Sequence, residues 1–470
     1  MMLEELKVNL IQEYCPKDNF KHRKAELIRL FPYITSGLSL TDEDEFKSYW
    51  GLCGEVSRRI NGYKKCETLN VDVIKADLKA KIETDDFDHL LDIVKLLAFD
   101  ETGAVTPFAL SAIPYLSFSK DSPTLREMGH FLDDVFFHER ESQTNCGQFS
   151  QASDTSVLHS LIHACFPPLD NVSQDDFAKK YHRIDVGLSK VFKQDWMFLC
   201  DNPKLLHTDF PKFLKLYSLL YQLRVVEKLN QFFDESELDP LYFTLTWESC
   251  SATRTAYKKG WKRLEPKVKS IFSHVNCLEL LNHISVDGLN SRFTYVDLKQ
   301  WSSEATNEQK KSFERSLDYL IDFYRDKTPP KGGWEEYEPF DSSNWSCDIL
   351  NKSHRLWMMV DCQFVHSDRN AAAGRYSNWL TKSTIPNFEK NRGRNGNTLA
   401  FSRDQIMFLT KLAVGRNKKL RLHDYWNELE RRGIAFDNES RRKIVVIFER
   451  LNLLEKKSDS GDAQYVRAII

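Results

Sequence analysis

The sequence predicts a mainly α protein, a multi-helical body carrying a C-terminal winged-helix-like domain of helix-turn-helix plus β-hairpin. Three observations predict it. Apolar residues recur at three-to-four spacing through most of the body, strand-like alternation is scarce, and residues 401–470 read as helix, helix, helix, hairpin. At 470 residues, with 41% hydrophobic and 12% aromatic content, the chain is long and apolar enough for two to four domains with their own cores.

In the body, helical periodicity runs through 87–99, 124–138, 156–165, 210–233, 254–283 and 308–324, and 242–247 is the best internal strand candidate. Two breaks interrupt it: the polar run 139–155, and 326–346, which holds Pro329, Pro330, Gly332, Gly333 and an acidic stretch. These place domains at 1–150, 151–340 and 401–470, with 341–400 as a basic connector. No internal repeat and no long low-complexity tract argues for a solenoid.

The C-terminal elements follow from local chemistry. Ser402 and Gln405 form a capping box, Ile406, Leu409, Leu412 and Ala413 repeat at helical spacing, and Gly415 supplies a stop. After a short extended piece at 420–422, Leu422, Tyr425, Trp426 and Leu429 mark a second amphipathic helix ending at Gly433. Asp437 or Asn438 can cap a third, whose apolar stripe is Ile444, Ile447, Phe448 and Leu451. The stretches 454–458 and 463–469 flank Asp459, Ser460, Gly461 and Asp462, a turn cluster that suits a hairpin.

Charge separates the two ends. Residues 371–470 hold 20 Lys and Arg against 11 Asp and Glu, whereas the other 370 hold 46 against 57, so the net charge of −2 hides a basic end on an acidic body. Such asymmetry favours a polyanion at one pole. Arg441, Arg442 and Lys443 crowd the first turn of the third helix, where positive charge opposes the macrodipole, so stability alone does not call for them. In helix-turn-helix docking that turn meets bases or phosphates, and Lys456, Lys457 and Arg467 on the wing add phosphate contacts. Upstream, 392–397 reads Arg-Gly-Arg-Asn-Gly-Asn; Lys390, Arg392 and Arg394 form a loop able to follow a phosphate backbone, or a solvated linker. The competing reading of the C-terminal unit is a surface for docking other proteins.

Catalytic readings are weak. His130, Asp134 and His138 share one helical face without a further strong ligand, and His159, His163 and Cys165 do no better. His366 and Asp368 mimic a phosphotransferase loop, but Ala373 stands where a magnesium-binding Asn is required. Glu265 and Lys267 have the letters of a nuclease motif inside a helical stretch, and no Gly-x-x-x-x-Gly-Lys-Ser/Thr loop is present. We expect no catalytic residues, no metal and no cofactor. Ten cysteines without a CxxC pair predict scattered reduced thiols. The absence of a charged-then-apolar leader and of any apolar run of roughly 20 residues predicts a cytoplasmic protein without a membrane.

Several blocks resemble a known family. The ending 451–466, the segments 428–434 and 388–412, and the internal residues Trp247, Glu248, Ser249, Cys250 and Ser251 with Arg254, Gly260, Trp261 and 278–283 are similar to the DptG (DndG) component of bacterial DNA phosphorothioation-dependent restriction, over about a third of the chain. The resemblance implies a subunit of an anti-phage complex that damages DNA lacking the sulfur mark. It also implies an F-type ATPase partner and an H-type helicase-like partner, which would supply the ATP-driven steps. The combined expectation is a non-catalytic adaptor that contacts double-stranded DNA; the alternatives are a purely protein-docking scaffold and a cryptic metal-dependent nuclease.

Overall fold

A computed structural model describes residues 2–16, 20–22, 26–120, 122–137, 149, 156–172, 178–341, 344–456 and 464–469. Among them are nineteen α-helices and seven short strands, so the chain is mainly helical. One core cluster runs from Leu6 to Val466 and takes in residues on both sides of every break seen in the sequence. A smaller satellite core joins Ile74, Leu78 and Val94 to Ile162 and Phe166, packing the Val157–Ala164 helix against Val71–Lys81 and Phe87–Ala98.

The helix Pro203–Gln231 is the axis of the body. It is 29 residues long, on the order of 43 Å, and buries residues on every face from Leu206 to Leu229. A helix apolar all round belongs inside a core, which is why this one lacks the one-sided stripe of a surface helix. Nine residues after it ends, the chain enters β1 (Leu241–Leu245).

β1 lies inside a four-stranded sheet ordered β2-β3-β1-β5, where β2 is Glu389–Asn391, β3 is Asn397–Phe401 and β5 is Ile434–Phe436. β3, β1 and β5 are parallel, and β2 is an antiparallel edge. The register sets Thr244 opposite Ala400 and Phe243 opposite Phe436. The rings of Phe243 and Phe401 stack at 4.3 Å on the sheet face. Strand β1 overlaps the expected 242–247, starting one residue earlier and ending two earlier. The other three were not foreseen, because three to five residues are too few to display alternation.

The C-terminal helices are Arg403–Val414, Leu422–Arg431 and Asn438–Arg450. Ser402 and Gln405 form the expected capping box, and Asp437 caps the third helix by accepting from the Ser440 amide. Gly433 has φ +76°, and a Cβ there would come within 2.8 Å of the Arg224 guanidinium, so both backbone and neighbour require glycine. A second, antiparallel sheet orders β4 (Lys419–Arg421), β7 (Gln464–Arg467) and β6 (Leu454–Lys456). The expected turn residues Asp459, Ser460, Gly461 and Asp462 lie outside the described residues. The segment read as a connector holds two helices, Asp348–Val365 and Asn370–Ser383, followed by the β2-β3 hairpin.

No helix among the described residues is long and apolar enough to cross a membrane. Eight of the described cysteines are free thiols, as the spacing suggested, but Cys200 is disulfide-bonded.

Candidate nucleic-acid interface

Because β1 and β5 run parallel, their carboxyl ends open on the same edge of the sheet, where open α/β sheets place their sites. The loop after β1 folds back at once. The Glu248 amide donates to the Leu245 carbonyl, and Glu248 Oε1 accepts from the Leu245 amide at 2.9 Å. This turns the Glu248 side chain inward, where it is fully buried.

A network closes around that carboxylate. Glu248 Oε1 also accepts from Ser440 Oγ at 2.7 Å and Arg254 Nη2 at 3.2 Å. Arg254 grips Asp437 with two bonds, Nε to Oδ2 at 3.0 Å and Nη2 to Oδ1 at 2.6 Å, and donates through Nη1 to the Ser249 carbonyl at 2.8 Å. Fork-to-carboxylate pairing fixes orientation as well as charge. Burial pushes the Asp437 carboxyl up, but Arg254 and the amides of Ser440 and Ala256 outweigh it and hold it below the usual carboxylate range. Asp437 thus caps the third helix and fastens that helix to the β1 loop at the same time.

The β2-β3 turn joins the same loop. Arg392 donates to Thr398 Oγ1 at 3.0 Å, Thr244 Oγ1 at 2.8 Å, the Leu245 carbonyl at 2.9 Å and the Glu248 carbonyl. Asn395 Nδ2 donates to the Cys250 carbonyl at 3.1 Å. The two basic stretches, separate in sequence, therefore meet on either side of residues 245–254.

The expected contact residues fall into three groups. Lys390, Arg394 and Arg442 are exposed, and among the described residues their side chains form no ion pair. Arg441, Lys443, Lys456 and Arg467 are exposed or half-buried and answered by carboxylates. Arg441 lies 5.1 Å above the Trp426 ring and bonds Glu430 at 2.6 Å; Lys443 stands 3.4 Å from Glu439 and 3.8 Å from Glu248; Lys456 pairs with Glu449 at 2.7 Å and Arg467 with Glu455 at 3.3 Å. The helix begins at Asn438, so of the three cations expected in its first turn only Arg441 reaches it, while Arg442 and Lys443 fall in the second, further from the positive end of the dipole. Arg392 forms the third group, its guanidinium turned into the protein. Lys457 lies outside the described residues.

Sequence reasoning did not assign the pair that organises this edge, Glu248 and Arg254. Both stood in the internal block that carries the family resemblance, but with no role attached, and their only physical signal was two opposite charges just past an apolar strand candidate. Of the residues weighed as metal ligands, Asp134 accepts from the amides of Lys180 and Tyr181, His130 is buried with no hydrogen-bond partner for its Nε2 among the described residues, His159 meets Phe108 edge-on, and His163 meets Tyr115 edge-on. His138 lies outside the described residues. Lys267 stands 3.9 Å from Glu227 within the helix Trp261–Lys269, and His366 stacks on Tyr337 at 4.3 Å. No cluster of three metal-ligating side chains occurs among the described residues. No family model and no curated protein matches this chain.

Proposed function

We propose that this chain is a non-catalytic adaptor that contacts the backbone of double-stranded DNA at the edge described above, within a phosphorothioation-dependent restriction complex. The observation that carries the DNA contact is the convergence of two basic stretches on the 245–254 loop, which bonds Arg392 and Asn395 of the turn bearing Arg394 and also Ser440 of the helix bearing Arg442 and Lys443. On this reading the three C-terminal helices with β4, β7 and β6 act as a winged helix, and Asn438–Arg450 is its recognition helix. The surface ion pairs do not oppose it, since exposed pairs contribute little and exchange readily for phosphate. The restriction setting, with its ATPase and helicase-like partners, rests on the resemblance of the sequence blocks.

The test is binding to a labelled duplex across a salt series, wild type beside a Lys390→Glu, Arg394→Glu, Arg442→Glu variant. These three side chains have no ion-pair partner to lose among the described residues. Counterion release predicts steep salt dependence, with a slope about 2 to 3 shallower in the variant.

One observation favours protein docking on the same helix. Val446 is 42% and Leu451 53% exposed, and Val446 with Val445 and Trp426 floors a shallow hollow beside Arg441 and Arg442. An apolar floor with a basic rim suits an acidic protein segment. Absence of duplex binding by wild type and variant alike would select this reading.

A further inference from the structure

A cavity of about 300 Å3 opens where four separate elements meet: the segment 29–35, the start of the helix Pro123–Phe136, the helix Ile271–Leu281 and the helix Asn370–Ser383. The first wall is fixed in place, because Glu279 accepts the amides of Leu27 and Ile28, and the Arg29 carbonyl accepts from the His182 amide at 2.7 Å. Phe31, Tyr181, Phe272, Val275 and Tyr376 line the cavity and are buried, whereas Thr35 and Pro123 are exposed and mark its mouth. An apolar cavity roughly half this size holds benzene, so there is room for an aromatic ring and a substituent.

Polar side chains without partners converge on this space. Among the described residues, neither the Arg29 guanidinium nor the hydroxyls of Thr124 and Tyr376 make a hydrogen bond. Tyr376 is only 6% exposed, and a tyrosine so deeply set ordinarily finds a partner for its hydroxyl. Arg29 also sets the charge of the lining. Glu127 is the one carboxylate there, and it is answered by Lys180 Nζ at 2.9 Å and by the Tyr181 hydroxyl at 2.6 Å. Burial and the nearby Arg369 hold His22 well below its ordinary value, so that imidazole is neutral near pH 7. One positive charge is left unanswered, which suits a monoanion better than a phosphate dianion facing Glu127.

We propose that this cavity binds a small aromatic carboxylate, with the carboxylate on the Arg29 guanidinium, the ring among Phe31, Phe272 and Tyr376, and a polar ring substituent meeting the Tyr376 hydroxyl. A guanidinium fork matches a carboxylate with two parallel hydrogen bonds. Aromatic walls favour a planar body: Tyr376 meets Phe272 and Tyr33 at 46° and 71°, the tilted and edge-on geometries that such rings adopt. Mostly apolar walls with a few placed polar groups are the build of a small-molecule site.

The experiment titrates the full chain with 4-hydroxyphenylacetate and with tyrosol, in which a neutral alcohol replaces the carboxylate, and follows saturation-transfer NMR. Two variants accompany wild type. Arg29→Gln removes the charge and the fork, and Tyr376→Phe removes the hydroxyl while keeping the ring; neither loses a hydrogen bond among the described residues, so both should fold. We expect wild type to bind the acid about tenfold more tightly than tyrosol, Arg29→Gln to erase that preference, and Tyr376→Phe to weaken the acid severalfold. The Lys390, Arg394, Arg442 charge reversal should leave acid binding unaltered. No saturable binding of the acid by wild type at about 10 mM, equal affinity for acid and tyrosol, or a preference that survives Arg29→Gln overturns the proposal. Loss of acid binding in the charge-reversed variant overturns it too, by placing the acid on the basic edge.

Discussion

Arg432 and Asp195, 237 positions apart, form a two-bond ion pair in which both side chains are almost completely buried. Tyr217 donates to the same carboxylate at 2.6 Å, and the Leu412 carbonyl accepts from Arg432 at 3.1 Å. Removing one partner from such a pair leaves an uncompensated charge in a low-dielectric interior. Arg432→Met should therefore lower unfolding free energy by about 3–5 kcal/mol in urea titrations. The double variant Arg432→Met, Asp195→Leu should regain part of that loss, because desolvation of the pair is then avoided. A double variant no more stable than Arg432→Met would contradict this account.

Glu279 receives the amides of Glu26, Leu27 and Ile28 at 2.8 to 3.1 Å, so one carboxylate ties an N-terminal segment to the middle of the body. Glu279→Ala would leave three amides without acceptors, each worth about 1–3 kcal/mol when buried. The expected outcome is early proteolytic cleavage before residue 30 while the remaining chain stays resistant. Uniform loss of resistance along the chain would show that the anchor acts globally.

Two buried histidines make stability fall in acid. Burial, helped by Arg59 and Lys180, pulls His130 down to about 4, and burial with His354 nearby pulls His274 down to about 3. Both bind fewer protons folded than unfolded between those values and the ordinary 6.5. Their contribution is therefore complete above pH 6.5 and is lost as pH falls through 4 and towards 3. A denaturant midpoint series from pH 7 to 3 should show this decline, and His274→Phe should flatten part of it. An unchanged slope in His274→Phe would exclude His274 as a source.

Arg392→Lys keeps the charge but loses the fork that reaches Thr398, Thr244 and two carbonyls. We expect it to reduce stability by about 1–3 kcal/mol with no larger effect on duplex affinity than that loss explains. Arg394→Lys, on an exposed side chain, should leave stability within about 0.5 kcal/mol. Calorimetry beside duplex binding separates the two. Equal stability losses would mean that the internal bonds of Arg392 are not what holds the turn.

Capping and periodicity are local, and they were legible. Ser402 with Gln405, Asp437 ahead of the third helix and glycine at 415 and 433 declare helix ends within four residues of themselves. The sheet was not legible beyond β1, because β3 and β5 become strands only by lying beside it, and three residues such as Ile434, Ala435 and Phe436 carry no period of their own. The candidate site divides the same way. Counting charge found the basic end, but charge cannot tell an inward guanidinium from an outward one: Arg392 and Arg394 differ only in which side of a turn they leave. Glu248 and Arg254 were hidden because their partners, Asp437 and Ser440, arrive more than 180 positions later.

The position of β1 between β3 and β5 also has a consequence for how the protein is made. When β1 leaves the ribosome its two neighbours do not yet exist, and the second, Ile434–Phe436, follows 189 residues after Leu245. At about 5–20 residues per second that interval lasts on the order of ten to forty seconds. Until Asn397–Phe401 is made both edges of β1 lack their partners, and from then until Ile434–Phe436 follows one edge still does. Synthesis of this chain therefore passes through a nascent state in which an apolar strand stays incompletely paired until β5 is made.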